Sequence, residues 1–198
     1  MFNINKFSSQ GLIRGGARPS LFDVSIFTPF SSVNEDRVSL HVSATSIPNS
    51  MLSQIDVYYF GRAIKLAGNR TFRNWEVEVL NDEDFAMRIM FENWSNRMNA
   101  LISNRASADS LDTGYKSSAL VTQYAQSGEV ARRYEMQGLW PVDISPIRLN
   151  WQDGNSIETY TVEFSIDYWE PIGTGNADDY SGTISPDGQA SSYLRGNR

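Results

Sequence analysis

Apolar and polar residues alternate over most of this chain, and a helical period replaces the alternation at one place only. Leu21-Phe22-Asp23-Val24-Ser25-Ile26-Phe27 mostly alternates, and Val38, Leu40, Val42 and Ala44 alternate cleanly with Ser39, His41, Ser43 and Thr45. A period of two sends successive side chains to opposite faces, so both stretches predict half-buried strands. Ile55, Val57 and Tyr59 lead into Gly61-Arg62, and Ile64 and Leu66 lead out. That pattern predicts a long hairpin with a tight turn, reaching from Gln54 to Ala67. Trp75, Val77 and Val79 point one way while Glu76 and Glu78 point the other, a further half-buried strand. The period then changes. Asn81-Asp82-Glu83-Asp84 offers a capping side chain and first-turn carboxylates, which suit the positive end of a helix dipole. Met87, Phe91, Trp94, Met98, Leu101 and Ile102 follow in one apolar stripe, predicting a helix from about Asp82 to about Ser103.

After a polar connector, Asn104–Lys116, the alternation resumes. Ala119–Ala125 and Val130–Gly138 flank Gln126-Ser127-Gly128 as a second hairpin, and Asp153-Gly154 signals a third turn. Tyr160, Val162, Phe164, Ile166 and Tyr168 then alternate with Thr159, Thr161, Glu163, Ser165 and Asp167, which reads as one amphipathic strand. The two ends differ from the middle. Met1–Gly16 is polar and closes on Arg14-Gly15-Gly16, a flexible arm. From Pro171 onward Gly, Ser, Asp and Asn displace the aliphatics, and too little apolar surface is left to offset the entropy of ordering. The expected organisation is an arm over residues 1–16, a β-domain over 17–170 and a flexible polar extension over 171–198. About eight strands and one helix make the fold mainly β, two packed antiparallel sheets in a sandwich or barrel with one flanking α-helix.

Composition narrows the functions available. A chain of 198 residues suits one core. A formal charge of −6 opposes any role that neutralises nucleic-acid phosphates. It also removes attraction to anionic membranes, and no stretch has the length of a transmembrane helix, so no membrane partner is expected. The start, Met1 to Phe7, has no continuous apolar run and does not read as a secretory signal. Without Cys there is no disulfide and no thiolate metal site. His41 is the single histidine, and its place in the alternation predicts an exposed imidazole on a strand's polar face. One histidine leaves no triad, and no glycine-rich loop follows a strand at phosphate-binding spacing. The pairs Glu76/Glu78 and Glu163/Asp167 lie on strand faces where solvated acids belong, rather than as a glycosidase pair. The reading is no enzyme, no catalytic residue, no metal and no cofactor, in a domain that assembles or binds.

Four motifs, taken in order, give that reading a direction. They are Ala17-Arg18-Pro19-Ser20-Leu21-Phe22; Ala67-Gly68-Asn69-Arg70-Thr71-Phe72-Arg73-Asn74-Trp75 with Asn81-Asp82-Glu83; Gly138-Leu139-Trp140-Pro141; and Asp167-Tyr168-Trp169-Glu170. Together they resemble the tail tube protein family of contractile-tailed bacteriophages. The arm before Ala17 and the extension after Glu170 depart from the family pattern. The resemblance implies a structural virion protein, assembled in the host bacterial cytoplasm as hexameric rings that stack into the hollow inner tube of the tail. Inner strands of neighbouring subunits would close into one β-barrel, pairing edges that a monomer exposes. The implied partners are further copies of itself, the sheath protein outside, the tape measure protein and genomic DNA in the lumen, and the baseplate proteins that start the tube. A negative wall would repel the passing DNA, which makes Glu76, Glu78, Glu163 and Asp167 candidates to line the lumen. By analogy with the family, the hairpin residues Tyr58, Tyr59, Phe60, Gly61, Arg62 and Ile64 are candidates for the joint to a neighbouring subunit or ring. The extension 171–198 is expected on the outside, with Tyr180 or Tyr193 as anchors. The rival within the same class is a type VI secretion-like tube protein. A carbohydrate-binding β-sandwich module is the rival from another class.

Overall fold

One long strand belongs to both sheets of the sandwich. The computed structural model describes residues 16–30, 41–106 and 113–172, with Ile4 and Ser39. In chain order the strands are β1 (Phe22–Ile26), β2 (Val42–Thr45), β3 (Ser50–Tyr59), β4 (Arg62–Phe72) and β5 (Trp75–Leu80). Helix α1 (Ala86–Met98) follows, with a short 3-10 turn at Thr113–Tyr115. The last four are β6 (Ser117–Tyr124), β7 (Val130–Ile144), β8 (Thr159–Ser165) and β9 (Tyr168–Ile172). The first half of β7 pairs with β6 and β9, and β6 pairs in turn with β1. Its second half pairs with β8, which continues the other sheet through β5 to β2. Every pairing is antiparallel.

The crossing from sheet to sheet has a local cause. Gly138 holds φ 70, and β7 leaves β6 at Leu139 and meets β8 from Trp140. At the same level the chain passes from β8 to β9 through Ile166-Asp167, and the Asp167 N–H donates to the Gln137 carbonyl at 2.9 Å. A Cβ at position 138 would lie 2.1 Å from Asp167 Oδ2, so glycine is required by both conformation and space. Two strands thus switch sheets side by side, which makes a corner of the sandwich.

The core lies between the sheets. Val24, Ile26, Ala119, Val121 and Met136 face inward from one, and Trp75, Val77, Val79, Tyr160, Val162 and Phe164 from the other. Helix α1 adds Met87, Met90, Phe91 and Trp94. The Phe164 ring is the hub, 5.7 Å from Trp75, 5.7 Å from Phe91 and 6.3 Å from Trp94 between centroids. The buried indoles keep polar partners, Trp75 Nε1 donating to the Ser46 carbonyl at 2.9 Å and Trp94 Nε1 to that of Tyr115 at 2.8 Å.

The mainly β architecture, two packed antiparallel sheets flanked by the helix α1, is the expected one among the described residues, and several details are not. The helix is shorter at both ends. Phe85 takes a left-handed conformation at φ 53 and starts it late, while Asn81 bonds Glu158 instead of capping. Asp84 Oδ1 accepts from the Ala86 N–H at 3.0 Å. At the far end Leu101 and Ile102 leave the stripe for an exposed turn, because the Leu101 N–H bonds Asn96 Oδ1 rather than a helical carbonyl. His41 is not on a strand face in water. It precedes β2, half-buried, with Nε2 3.1 Å from Asp82 Oδ2. A register shift between Val42 and Ala44 leaves Ala44 exposed. The run from Tyr160 to Tyr168 is two strands, broken where the corner needs a bend. Asp153-Gly154 lies within a long loop over 145–158 rather than closing a two-residue turn. Strand β9 carries the domain through Pro171 and Ile172. Val38 and Leu40, the arm apart from Ile4 and Gly16, and the extension beyond Ile172 lie outside the described residues.

Candidate assembly surfaces

Among the described residues strands β3 and β4 pair only with each other, as a separate two-stranded sheet. Their register puts Ile55 opposite Leu66, Val57 opposite Ile64 and Tyr59 opposite Arg62 on one face. Gln54 with Ala67, Asp56 with Lys65 and Tyr58 with Ala63 occupy the other. The hairpin therefore has an apolar face, and that face is exposed along its length. At the turn Phe60 has φ 47 and Gly61 φ 75, the pair of positive angles whose twist matches a two-residue hairpin. Left-handed backbone is unusual for a bulky residue such as Phe60. Its ring is 92% exposed and packs edge-on against Tyr59 at 4.6 Å. Tyr58 is 73% and Ile64 52% exposed. A lone two-stranded hairpin is marginally stable in water, so this face is energetically incomplete.

The acids form a second surface. Glu76 lies directly opposite Glu163, and Glu163 opposite Asp143, making a row of carboxylates across β5, β8 and β7. Glu78 is on the same face two residues along, opposite Thr161. Like charges directly across a sheet cost about 0.2–1 kcal/mol per pair. Asn74 Nδ2 donates to Glu163 Oε1 at 2.8 Å and relieves part of this. Among the described residues no Lys or Arg forms an ion pair with Glu76, Glu78, Asp143 or Glu163. Asp143 was not among the residues expected here. Plain alternation from Pro141, which faces the core, would send Asp143 inward. An unpaired buried carboxylate is costly, and that conflict is itself the signal for the extra residue found between Pro141 and Asp143.

Asp167 stands apart from the row. It occupies the bend between β8 and β9, where Lys116 Nζ donates to both its oxygens at 2.8 and 2.7 Å. The fold thus gathers Glu76, Glu78 and Glu163 on one face and assigns Asp167 to the corner.

A third feature lies at the opposite end of the second sheet. The loop 145–158 joins β7 to β8 and carries exposed Leu149, Trp151 and Ile157. A shallow cavity of about 370 Å³ between the end of α1 and the second half of β7 is lined by Ser95, Met98, Asn99, Tyr115, Trp140 and Pro141 among others, with no carboxylate, amine or imidazole. Among the described residues no cluster of His, Asp and Glu could hold a metal ion, and no helix is long and apolar enough to cross a membrane. Burial pushes the Tyr160 phenol well above its ordinary value of 10.0, against a partial lowering by Arg88, whose guanidinium lies 5.2 Å over the ring.

The family model described as phage tail tube protein matches residues 17–171. Over 160 residues the chain is 36% identical to tail tube protein gp19 of Enterobacteria phage T4, covering 78% of this chain and 91% of that protein. It is 26% identical over 172 residues to the tail tube protein of Serratia phage KSP90, covering 84% and 93%. A chain in the six-fold symmetrised baseplate of the anti-feeding prophage aligns with a TM-score of 0.59 at 11% identity, covering 81% of this chain and 97% of that one. A chain in the sheath-tube complex of the PVC extracellular contractile injection system, in the extended state, aligns with a TM-score of 0.53 at 12% identity, covering 88% and 100%. These structures share the fold.

Proposed function

The chain belongs to the phage tail tube protein family, and from that membership we propose how its surfaces serve a tube. The protein is the tail tube subunit of a contractile phage tail, a structural component of the virion. In our reading six copies close into a ring, rings stack, and the β3–β4 hairpin is the joint. The observation that carries this is the contrast within one chain, a buried core beside a hairpin whose apolar face is left exposed among the described residues. Closure around the ring also pairs the edges that β1 and β2 leave unpaired among the described residues.

The acid row of Glu76, Glu163 and Asp143, with Glu78 beside it, is the candidate lumenal wall. Unpaired same-sign carboxylates on a face whose reverse is core repel DNA phosphates, and so let the genome pass without sticking. Asp167, engaged by Lys116, is a weaker candidate for that wall than the notched row itself. The partners are the sheath outside, the tape measure protein and then DNA inside, and the baseplate proteins that begin the tube. The role requires no catalytic step. Deleting Tyr58–Ile64 tests the joint. The variant should keep the parent's thermal transition and form no tubes by negative-stain microscopy. Normal tubes from it would exclude the hairpin.

A further inference from the structure

We infer that the apex of the loop 145–158 is the surface that receives the tip of the β3–β4 hairpin from a second copy of this chain. The inference rests on the hairpin's being the joint and supplies its missing half.

Three observations carry it. The first is placement. Strand β4 runs into β5 at Trp75, the end of the second sheet where Trp75 pairs with Phe164. The loop joins β7 to β8 at the other end, where Leu80 pairs with Thr159. Hairpin and loop therefore leave opposite ends of one sheet. A donor at one end and an acceptor at the other make a heterologous contact, which repeats from copy to copy and elongates when its rotation does not close on itself.

The second is the chemistry of the apex. Trp151 is completely exposed, with Leu149 and Ile157 exposed beside it. The turn that presents the indole is nevertheless ordered. Asn150 Oδ1 accepts from the Gln152 N–H at 3.1 Å, the Asn150 carbonyl from the Asp153 N–H at 3.2 Å, and Asn150 Nδ2 donates to Asp153 Oδ2 at 3.0 Å. A tryptophan on a fixed turn gives large apolar contact with little backbone entropy left to lose on docking. The hairpin tip offers the matching apolar groups, Phe60 and Tyr59.

The third is charge. Along the hairpin Asp56 faces Lys65 across the strands, which leaves Arg62 as the uncompensated charge at the turn. Within residues 149–154 the single charged side chain is Asp153. One tip is positive and the other negative, so the match fixes which end meets which.

The test uses the full chain, in tubes grown from purified protein or in particles complemented with each variant. Arg62→Glu and Asp153→Lys should each abolish tube growth while leaving the thermal transition unchanged, and the double variant should restore it. Trp151→Ala should raise the protein concentration needed for growth at least about tenfold, the loss of roughly 1.4 kcal/mol per contact. The chain has no cysteine, so Ala63→Cys with Gln152→Cys, placed beside the apolar anchors and leaving both of them intact, allows an unambiguous cross-link. In assembled tubes a short bis-maleimide should join the double variant into ladders longer than dimers, and neither single variant. Absence of both charge rescue and ladder overturns the inference. If deleting Tyr58–Ile64 abolishes tubes but Trp151→Ala and Asp153→Lys polymerise normally, the hairpin is the joint, its acceptor lies elsewhere, and this inference fails alone. If the deletion polymerises normally, both fail. Tubes of Trp151→Ala that grow normally but no longer hold sheath would assign the loop to the sheath and also overturn it.

Discussion

Val77 and Val57 occupy equivalent places in two alternating strands, yet Val77 is fully buried and Val57 is 44% exposed. Their own strands do not account for the difference, since both pair antiparallel with a neighbour. Val77 has a second layer over it, helix α1 and the opposing sheet, while no described residue forms such a layer over Val57. An apolar stripe on a strand marks a face that must be covered. Whether the same chain or another copy covers it is decided by what the rest of the fold places across from it.

Substitutions can break or sharpen this contrast, read first as protomer stability. Phe164→Ala should have the largest effect, since it empties the hub between Trp75, Phe91 and Trp94. A loss of about 3–5 kcal/mol is expected in denaturant melts. A loss under about 1 kcal/mol would mean that the core is not organised around that ring. Gly138→Ala should cost on the order of 2 kcal/mol, from left-handed strain and collision with Asp167. An unchanged melting temperature would show that the corner yields freely.

Tyr160 gives a smaller, pH-dependent effect. Because burial raises its phenol pKa in the folded protein, the unfolded chain ionises first as pH passes 10.0. The stability it protects is complete below that pH and falls as pH rises above it. Tyr160→Phe should leave neutral stability nearly unchanged and flatten the alkaline loss. Matching alkaline melts for the two proteins would count against this burial. Glu163→Lys should change stability by only about 0.2–1 kcal/mol, in the stabilising direction, as like charges opposite Glu76 and Asp143 are relieved. If the row lines the lumen, particles carrying it should eject DNA more slowly at low salt and recover as salt rises. Ejection that ignores ionic strength would move the row to another surface.

The smallest effect on stability is expected at the hairpin. Val57→Asp should shift the melt by no more than about 0.5 kcal/mol, in keeping with an exposed site, and should still abolish tubes. Such a dissociation between folding and assembly, absent at Phe164, is the contrast in measurable form. A strongly destabilised Val57→Asp protomer would mean that the hairpin packs on its own body.

Legibility in the sequence followed how far each element answers to its own pattern. Strand β5 and the run through Ser165 were readable because Trp75, Val77, Val79, Tyr160, Val162 and Phe164 alternate without interruption and all face one core. The hairpin was readable because Gly61 marks its turn and both arms alternate. Missed features are those where a distant contact sets the local backbone. The strand break at Ile166-Asp167 exists because Gly138 bends next to it. The late start of α1 depends on Phe85 and on Asn81 being taken by Glu158. Asp143 joined the acids through a bulge, and His41 found Asp82 across a chain reversal that no period reveals. The acid face was therefore visible residue by residue, and its row-like arrangement was not.

Strand β7 also has a mechanical meaning. A sandwich held only by side-chain contacts could slide layer over layer under load. Here the peptide backbone itself runs from one sheet to the other at Gly138, and again at Ile166-Asp167. A force that shears the layers must stretch these two covalent crossings before it can separate the core. The crossings lie beside each other, so the two layers are tied together by backbone at that edge. Strain delivered to one sheet is passed to the other through the backbone at that edge.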